Sequence, residues 1–227
     1  MREDLTRRGF LGAAGAAVVA GMAAETLAAE EAPEAKAFKI LGVSCSPRPG
    51  KTTAAALKVC LEAAKAAGPN VETELVELAG MNIPVFDPAA PDSADFEKVA
   101  AKLTDPKVAG IIVGTPVYFG SMSSLCKAFL DHCMALRKGF ALRNKVAGVV
   151  AVGGMRNGGQ ELTIQTVQAA LLAQEMILVG DGRPTAHRGA TLWNQNDDIS
   201  KDELGLSTAR NLGRRVAEVA LALRGPA

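Results

Sequence analysis

The chain has 227 residues, 48% of them hydrophobic and 22% charged, enough to bury one sizeable globular core and too little for two ordinary domains. Its 25 Lys and Arg balance 24 Asp and Glu, and aromatic residues make up only 4%. That composition offers neither a basic field for a phosphate backbone nor a platform for stacked bases, so nucleic acid is not an expected partner.

The N-terminal stretch reads as an address. A basic start containing Arg7-Arg8-Gly9-Phe10-Leu11 leads into fifteen uncharged residues, Phe10 to Ala24, too few to span a bilayer comfortably. Small residues follow before an acidic segment, with Thr26-Leu27-Ala28 as the best cleavage site, which predicts an export signal over residues 1–28. Thr6-Arg7-Arg8-x-Phe10-Leu11 resembles a twin-arginine signal. The resemblance implies a periplasmic protein exported already folded, with any cofactor installed beforehand. Residues 29–37, rich in Ala and Glu, read as a linker, and one domain is expected over 38–225 with no membrane span in the mature chain.

From Phe38 onward, short apolar runs alternate with segments of helical period. Lys39 to Val43 predicts a buried strand, and Thr53 to Ala67 a helix with Ala56, Leu57, Cys60, Leu61 and Ala64 on one face. A second strand is expected over Val71 to Leu78, a helix over Phe96 to Leu103, and an uninterrupted apolar strand over Gly110 to Gly114. Ser123 to Leu136 predicts a third helix, Val146 to Val152 a fourth strand, Gln160 to Gln174 a helix, and Met176 to Val179 a fifth strand. Ser200-Lys201-Asp202-Glu203 has the spacing of a capping box opening a long final helix. Five buried strands alternating with helices imply an α/β fold with a doubly wound parallel sheet, whose ligand lies beyond the carboxyl ends of the strands.

The loop after the first strand, "SCSPRPGKTT", ends like a nucleotide-binding P-loop. The first glycine of that motif is replaced by Cys45, however, and Pro47 and Pro49 remove N–H groups that a triphosphate cradle needs. A phosphotransferase is therefore disfavoured. The hydroxyls of Ser44, Ser46, Thr52 and Thr53, the fixed cation of Arg48 and the adjoining helix N-terminus suit one terminal phosphate held without metal. The same hydroxyls would also serve as ordinary helix caps.

After the third strand, Pro116-Val117-Tyr118-Phe119-Gly120 offers an aromatic pair and a glycine where a planar ring could pack. After the fourth, "GGMRNGGQE" has few side chains to obstruct, so its backbone N–H groups can approach a heteroaromatic edge.

"GVSCSPRPGKTTAAALK", "GTPVYFGSMSSLCKAFLD", "VVAVGGMRNGGQE" and "LSTARNLGRRVAEVA", in that order, resemble the flavodoxin-like NAD(P)H-dependent FMN reductase family, and particularly its branch similar to iron–sulfur flavoproteins. The resemblance implies a five-stranded sheet of order 2-1-3-4-5 with FMN at its switch point. It implies a phosphate on Ser46, Arg48, Thr52 and Thr53, with Ser44 beside them. The isoalloxazine would lie against Pro116, Val117, Tyr118, Phe119 and Gly120, and the pyrimidine edge against Gly153, Gly154, Met155, Gly158, Gly159 and Gln160. A homodimer or homotetramer and electron exchange with NAD(P)H, a quinone, a flavin or a protein are implied as well, with no catalytic acid or base assigned. A flavodoxin-like carrier without a small substrate is the alternative. The iron–sulfur branch carries closely spaced cysteines between its second and third strands, whereas Ala79 to Asp105 here has none, so no cluster is expected at that place.

Cys45, Cys60, Cys126 and Cys133 form no Cys-x-x-Cys pair, and neither His132 nor His187 has metal-ligand spacing. The polar stretch from Asp181 to Asp198 is long enough to be a lid or a subunit contact, in which Trp193 and His187 would border the ring or Trp193 would anchor the loop.

Overall fold

The computed structural model describes residues 37–224; the expected export signal and nearly all of the expected linker lie outside them. In chain order the elements are β1 (Phe38–Ser44), α1 (Thr52–Lys65), β2 (Val71–Glu77), α2 (Ala94–Thr104), β3 (Val108–Tyr118), β4 (Ser121–Met122), α3 (Ser124–His132) and α4 (Met134–Arg137). Then come β5 (Val146–Gly153), α5 (Gln160–Leu172), β6 (Ile177–Leu178), β7 (Ala190–Trp193) and α6 (Glu203–Arg224). Among the described residues, no helix is long and apolar enough to cross a membrane.

The parallel strands run in the order β2-β1-β3-β5-β6. Counted along the chain, that is the expected 2-1-3-4-5. Alternation along each strand divides the core: Leu41, Val43, Ile111 and Val113 face α2, α3 and α5, whereas Ile40 and Ile112 face α1 and α6. The chain turns in opposite directions from β1 and β3, which leaves a crevice beyond their carboxyl ends.

The structure corrects several local expectations. The fifth strand position is shared: β6 pairs with the start of β5, at Val146 and Ala147, and β7 pairs with its end, Val150 to Gly153. The stretch expected to be a polar connection thus contributes a sheet strand. Where the chain rejoins the edge, a Cβ on Gly189 would lie 2.4 Å from the Val149 carbonyl, so only glycine permits the approach.

Residues 116–120 are not a loop either. β3 continues to Tyr118 and turns back antiparallel into β4 through Phe119 and Gly120, both at positive φ (50° and 73°), as a tight hairpin requires.

The third expected helix is interrupted at Cys133, whose carbonyl accepts the Gln174 side-chain amide at 3.0 Å and a short-range bond from the Leu136 N–H. Nor does the capping box form. The Ser200 hydroxyl bonds to Asp198 at 2.6 Å, and Asp202 caps α6 by accepting the Gly205 N–H at 3.0 Å.

Candidate functional site

Four segments meet at the carboxyl edge of the sheet: the loop after β1, the β3–β4 hairpin, the glycine-rich turn after β5, and the end of β7. Each is tied to the next by a contact that the one-dimensional sequence does not display.

The loop after β1 leads into a helix without a cap. α1 has no side-chain hydrogen bond at its N-terminus and no acidic residue in its first turn, whereas Ser93 caps α2 and Ser123 caps α3. The serines and threonines of this loop are therefore not acting as caps, and the N-terminal N–H groups of α1 remain available for an anion. Ser44 is buried, and its Oγ has no hydrogen-bond partner among the described residues. Ser46 Oγ instead accepts the Arg48 N–H at 3.2 Å, shaping the turn, while Thr52 and Thr53 are buried at the helix start. The absence of a side chain at Gly114 leaves room for Thr53, whose Cγ2 would stand 3.2 Å from a Cβ there.

The cations of the loop already face a carboxylate. Arg48 Nη1 lies 2.6 Å from Asp197 Oδ1, and Lys51 Nζ lies 3.3 Å from Asp197 Oδ2. Hydrogen bonds from these two cations hold the Asp197 carboxyl below the usual carboxylate range. Glu77 Oε2 accepts the Gly50 N–H at 2.8 Å.

Ser123 joins this loop to the hairpin. Its hydroxyl donates to the Cys45 carbonyl at 2.7 Å and accepts the Cys126 N–H, and its own N–H donates to Thr115 Oγ1 at 3.1 Å. On the hairpin, Phe119 is fully exposed and Tyr118 partly so. Gly159, at φ 96°, meets Gly120 so closely that a Cβ would sit 3.0 Å from the Gly120 Cα. Hairpin and glycine turn thus form one surface, with the exposed Met155 on the turn.

Gln160 is buried and its carboxamide is spent on the turn itself. Nε2 donates to the Met155 and Leu192 carbonyls (2.6 and 3.1 Å), and Oε1 accepts the Gly158 N–H at 2.8 Å. Its side chain therefore shapes the glycine turn. Trp193 Nε1 donates to the Gly154 carbonyl at 3.0 Å, and the Asn194 N–H donates to the Gly153 carbonyl at 2.8 Å. The buried Asn194 Oδ1 has no partner among the described residues. Arg156 reaches from the same turn to Asp202 and, at 3.3 Å, to the Thr191 carbonyl.

Asn194, Asp197, Ser123 and the Arg156–Asp202 pair are the parts of this edge that sequence reasoning missed. Trp193 does lie against the glycine turn. His187 does not belong to the edge: it sits between β6 and β7, 3.4 Å from the buried Asp181, beside an open cleft of about 600 Å³ lined also by Glu161 and Arg188. His132 is buried, with its ring nitrogens 2.6 Å from Asp92 and 3.0 Å from the Pro84 carbonyl, and it pins the segment between β2 and α2.

All four cysteines are free and buried. Burial, with Cys126 and Cys133 nearby, pushes the Cys45 thiol well up, and burial raises Cys133 to about 12, so these thiols behave as small apolar groups. Among the described residues, no group of three or more Cys, His, Asp and Glu is arranged to hold a metal ion.

Residues 38–191 match the NADPH-dependent FMN reductase family. The chain is 43% identical to an iron–sulfur flavoprotein of Methanocaldococcus jannaschii over 80% of its own length and 97% of that protein's. It is 33% identical to an NAD(P)H dehydrogenase (quinone) of Methylocella silvestris, covering 72% of this chain and 88% of that one. Its fold is that of the flavodoxin, WrbA-like protein from Agrobacterium tumefaciens, with a TM-score of 0.57 and 21% identity over 82% of this chain and 99% of that one. The chain belongs to the NADPH-dependent FMN reductase family. It is an FMN-dependent oxidoreductase of flavodoxin-like fold. The uncapped α1, the unpartnered Ser44 Oγ and the Arg48 and Lys51 cations fit such a phosphorylated cofactor.

Proposed function

We propose that this protein, exported by the twin-arginine route, uses FMN to pass electrons from a reduced donor to a quinone or flavin. The observation that carries the reading is the α1 N-terminus at the sheet's switch point, with no side-chain cap and no acidic residue in its first turn, beside the Arg48 and Lys51 cations. The N–H groups of Thr52 and Thr53, the hydroxyls of Ser44 and Ser46 and the Arg48 guanidinium hold the phosphate. Pro116 to Gly120 form the shelf for the ring system. The backbone of Gly153, Gly154, Met155, Gly158 and Gly159 meets its polar edge, with Gln160 holding that turn in shape.

When bound, FMN supplies the hydride and electron chemistry, so the protein's part is to bind, orient and shield. Nothing in this division of labour calls for a side-chain acid or base. The absence of cysteines between Ala79 and Asp105 supports a flavin centre without the iron–sulfur cluster that the archaeal relative's name records. Exposed Tyr118, Phe119, Met155 and Leu162 around the edge support a homodimer or homotetramer that covers it.

Export separates the protein from the cytoplasmic nicotinamide pool, which makes the donor the decisive variable. NADPH oxidation by the FMN-loaded protein, with a quinone or flavin as acceptor, should exceed the rate with free FMN by orders of magnitude. A rate equal to that of free FMN would remove the NAD(P)H reductase reading and leave a protein-to-protein electron carrier.

A further inference from the structure

A single carboxylate closes the turn 194–198 over the loop after β1. Asp197 uses both of its oxygens, one on Arg48 at 2.6 Å and one on Lys51 at 3.3 Å. It is the one acidic partner of either cation among the described residues, and it reaches Arg48 from 149 residues away in sequence. Two oxygens of one anion bridging two cations is also how a phosphate would engage them.

We propose that Asp197 is an internal competitor for the cofactor phosphate: carboxylate and phosphate take Arg48 and Lys51 in turn, and the 194–198 turn is a latch that opens as the phosphate enters. This rests on the phosphate assignment above. The latch is built to give way. Its ion pairs are close to half exposed, a setting in which such pairs contribute little, whereas a phosphate brings more charge and also reaches the helix N–H groups. Asn196 and Asp197 are both held in the left-handed region, at φ 56° and 63°, which is tolerable for these residue types but not their preferred state.

The turn continues directly from Trp193 and Asn194, which bond to Gly154 and Gly153. Release of Asp197 at the phosphate end is therefore passed to the turn that receives the ring edge. Trp193 is the single Trp of the chain and reports on that movement.

The test measures dissociation constants of FMN and riboflavin for the full-length protein by flavin fluorescence quenching, in wild type, Asp197→Asn and Arg48→Ala. Competition predicts that Asp197→Asn tightens FMN by about three- to tenfold and leaves riboflavin within about twofold. Weaker or unchanged FMN binding in Asp197→Asn overturns the latch, and if Arg48→Ala still weakens FMN the phosphate assignment survives without it. Unchanged FMN affinity in Arg48→Ala removes the assignment and the latch together. Trp193 emission of the flavin-free protein, titrated with inorganic phosphate, gives a readout that involves no flavin. A saturable change in wild type, absent in Arg48→Ala, upholds the latch, and a flat response in wild type overturns it.

Discussion

The buried carboxylate of Asp202 receives the guanidinium of Arg156, so the glycine-rich turn after β5 is pinned to the first residues of α6. The same carboxylate accepts the Trp193 N–H at 2.7 Å and the Gly205 N–H at 3.0 Å, closing the last strand and capping the last helix. One side chain thus connects the glycine-rich turn to the element that covers the far side of the sheet. Asp202→Ala should cost about 3–5 kcal/mol, combining a lost cap with an uncompensated cation. Asp202→Asn, which can still cap, should lose less. Urea unfolding of both variants checks the ranking, and equal losses would remove the ion pair from the account.

Gly159 meets Gly120 where the hairpin and the glycine turn touch. Its φ of 96° and the 3.0 Å from a would-be Cβ to the Gly120 Cα leave an alanine no unstrained position. Gly159→Ala is expected to cost about 1–3 kcal/mol and, by moving the two loops apart, to weaken FMN binding at least severalfold. Unfolding and flavin titration of the same preparation measure both effects.

Ser123 is the knot between the loop after β1 and the hairpin. Ser123→Ala removes a helix cap and leaves the buried Cys45 carbonyl without its hydroxyl donor, a combined loss of about 2 kcal/mol. The Thr variant keeps the hydroxyl and should recover part of the loss.

Acid should weaken the β1–β2 edge. Hydrogen bonds from Lys102 and Lys39 hold the Glu74 carboxyl below its ordinary value of 4.5. A carboxyl depressed in the folded state contributes stability that is complete above about 4.5 and is lost as pH falls through the folded value. Because the pairs are near the surface, their contribution is at most about 1 kcal/mol. Glu74→Gln should lower stability by that amount at pH 7 and flatten this part of the curve below about pH 4.5, as followed by thermal unfolding across pH.

The sheet was largely legible in the sequence because buried parallel strands leave uninterrupted apolar runs, as in "GIIVG" and "VAGVVAV". β7 was not, since Ala190-Thr191-Leu192-Trp193 is four residues long and lies within a polar stretch whose pairing with β5 depends on a close approach at Gly189. Ser200 and Glu203 have capping-box spacing, but the deeper Asp202 takes the cap because it also satisfies Arg156 and the Trp193 N–H. The glycine- and hydroxyl-rich stretches at the strand ends could be read, although residues 116–120 turned out to be a strand end and hairpin and not a loop. Asn194 and Asp197 could not, because what gives them meaning is a contact with Gly153 or Arg48 far away in the chain.

The proposed cofactor site puts the phosphate of FMN on the loop after β1 and its ring on the hairpin and glycine turn. A crystal structure of the FMN complex tests it most directly. The phosphate is expected within hydrogen-bonding distance of the Thr52 and Thr53 N–H groups and of Arg48, with the ring beside Tyr118 and Gly154. A phosphate bound elsewhere, for example in the groove between Arg183, Arg214 and Arg215, would contradict it.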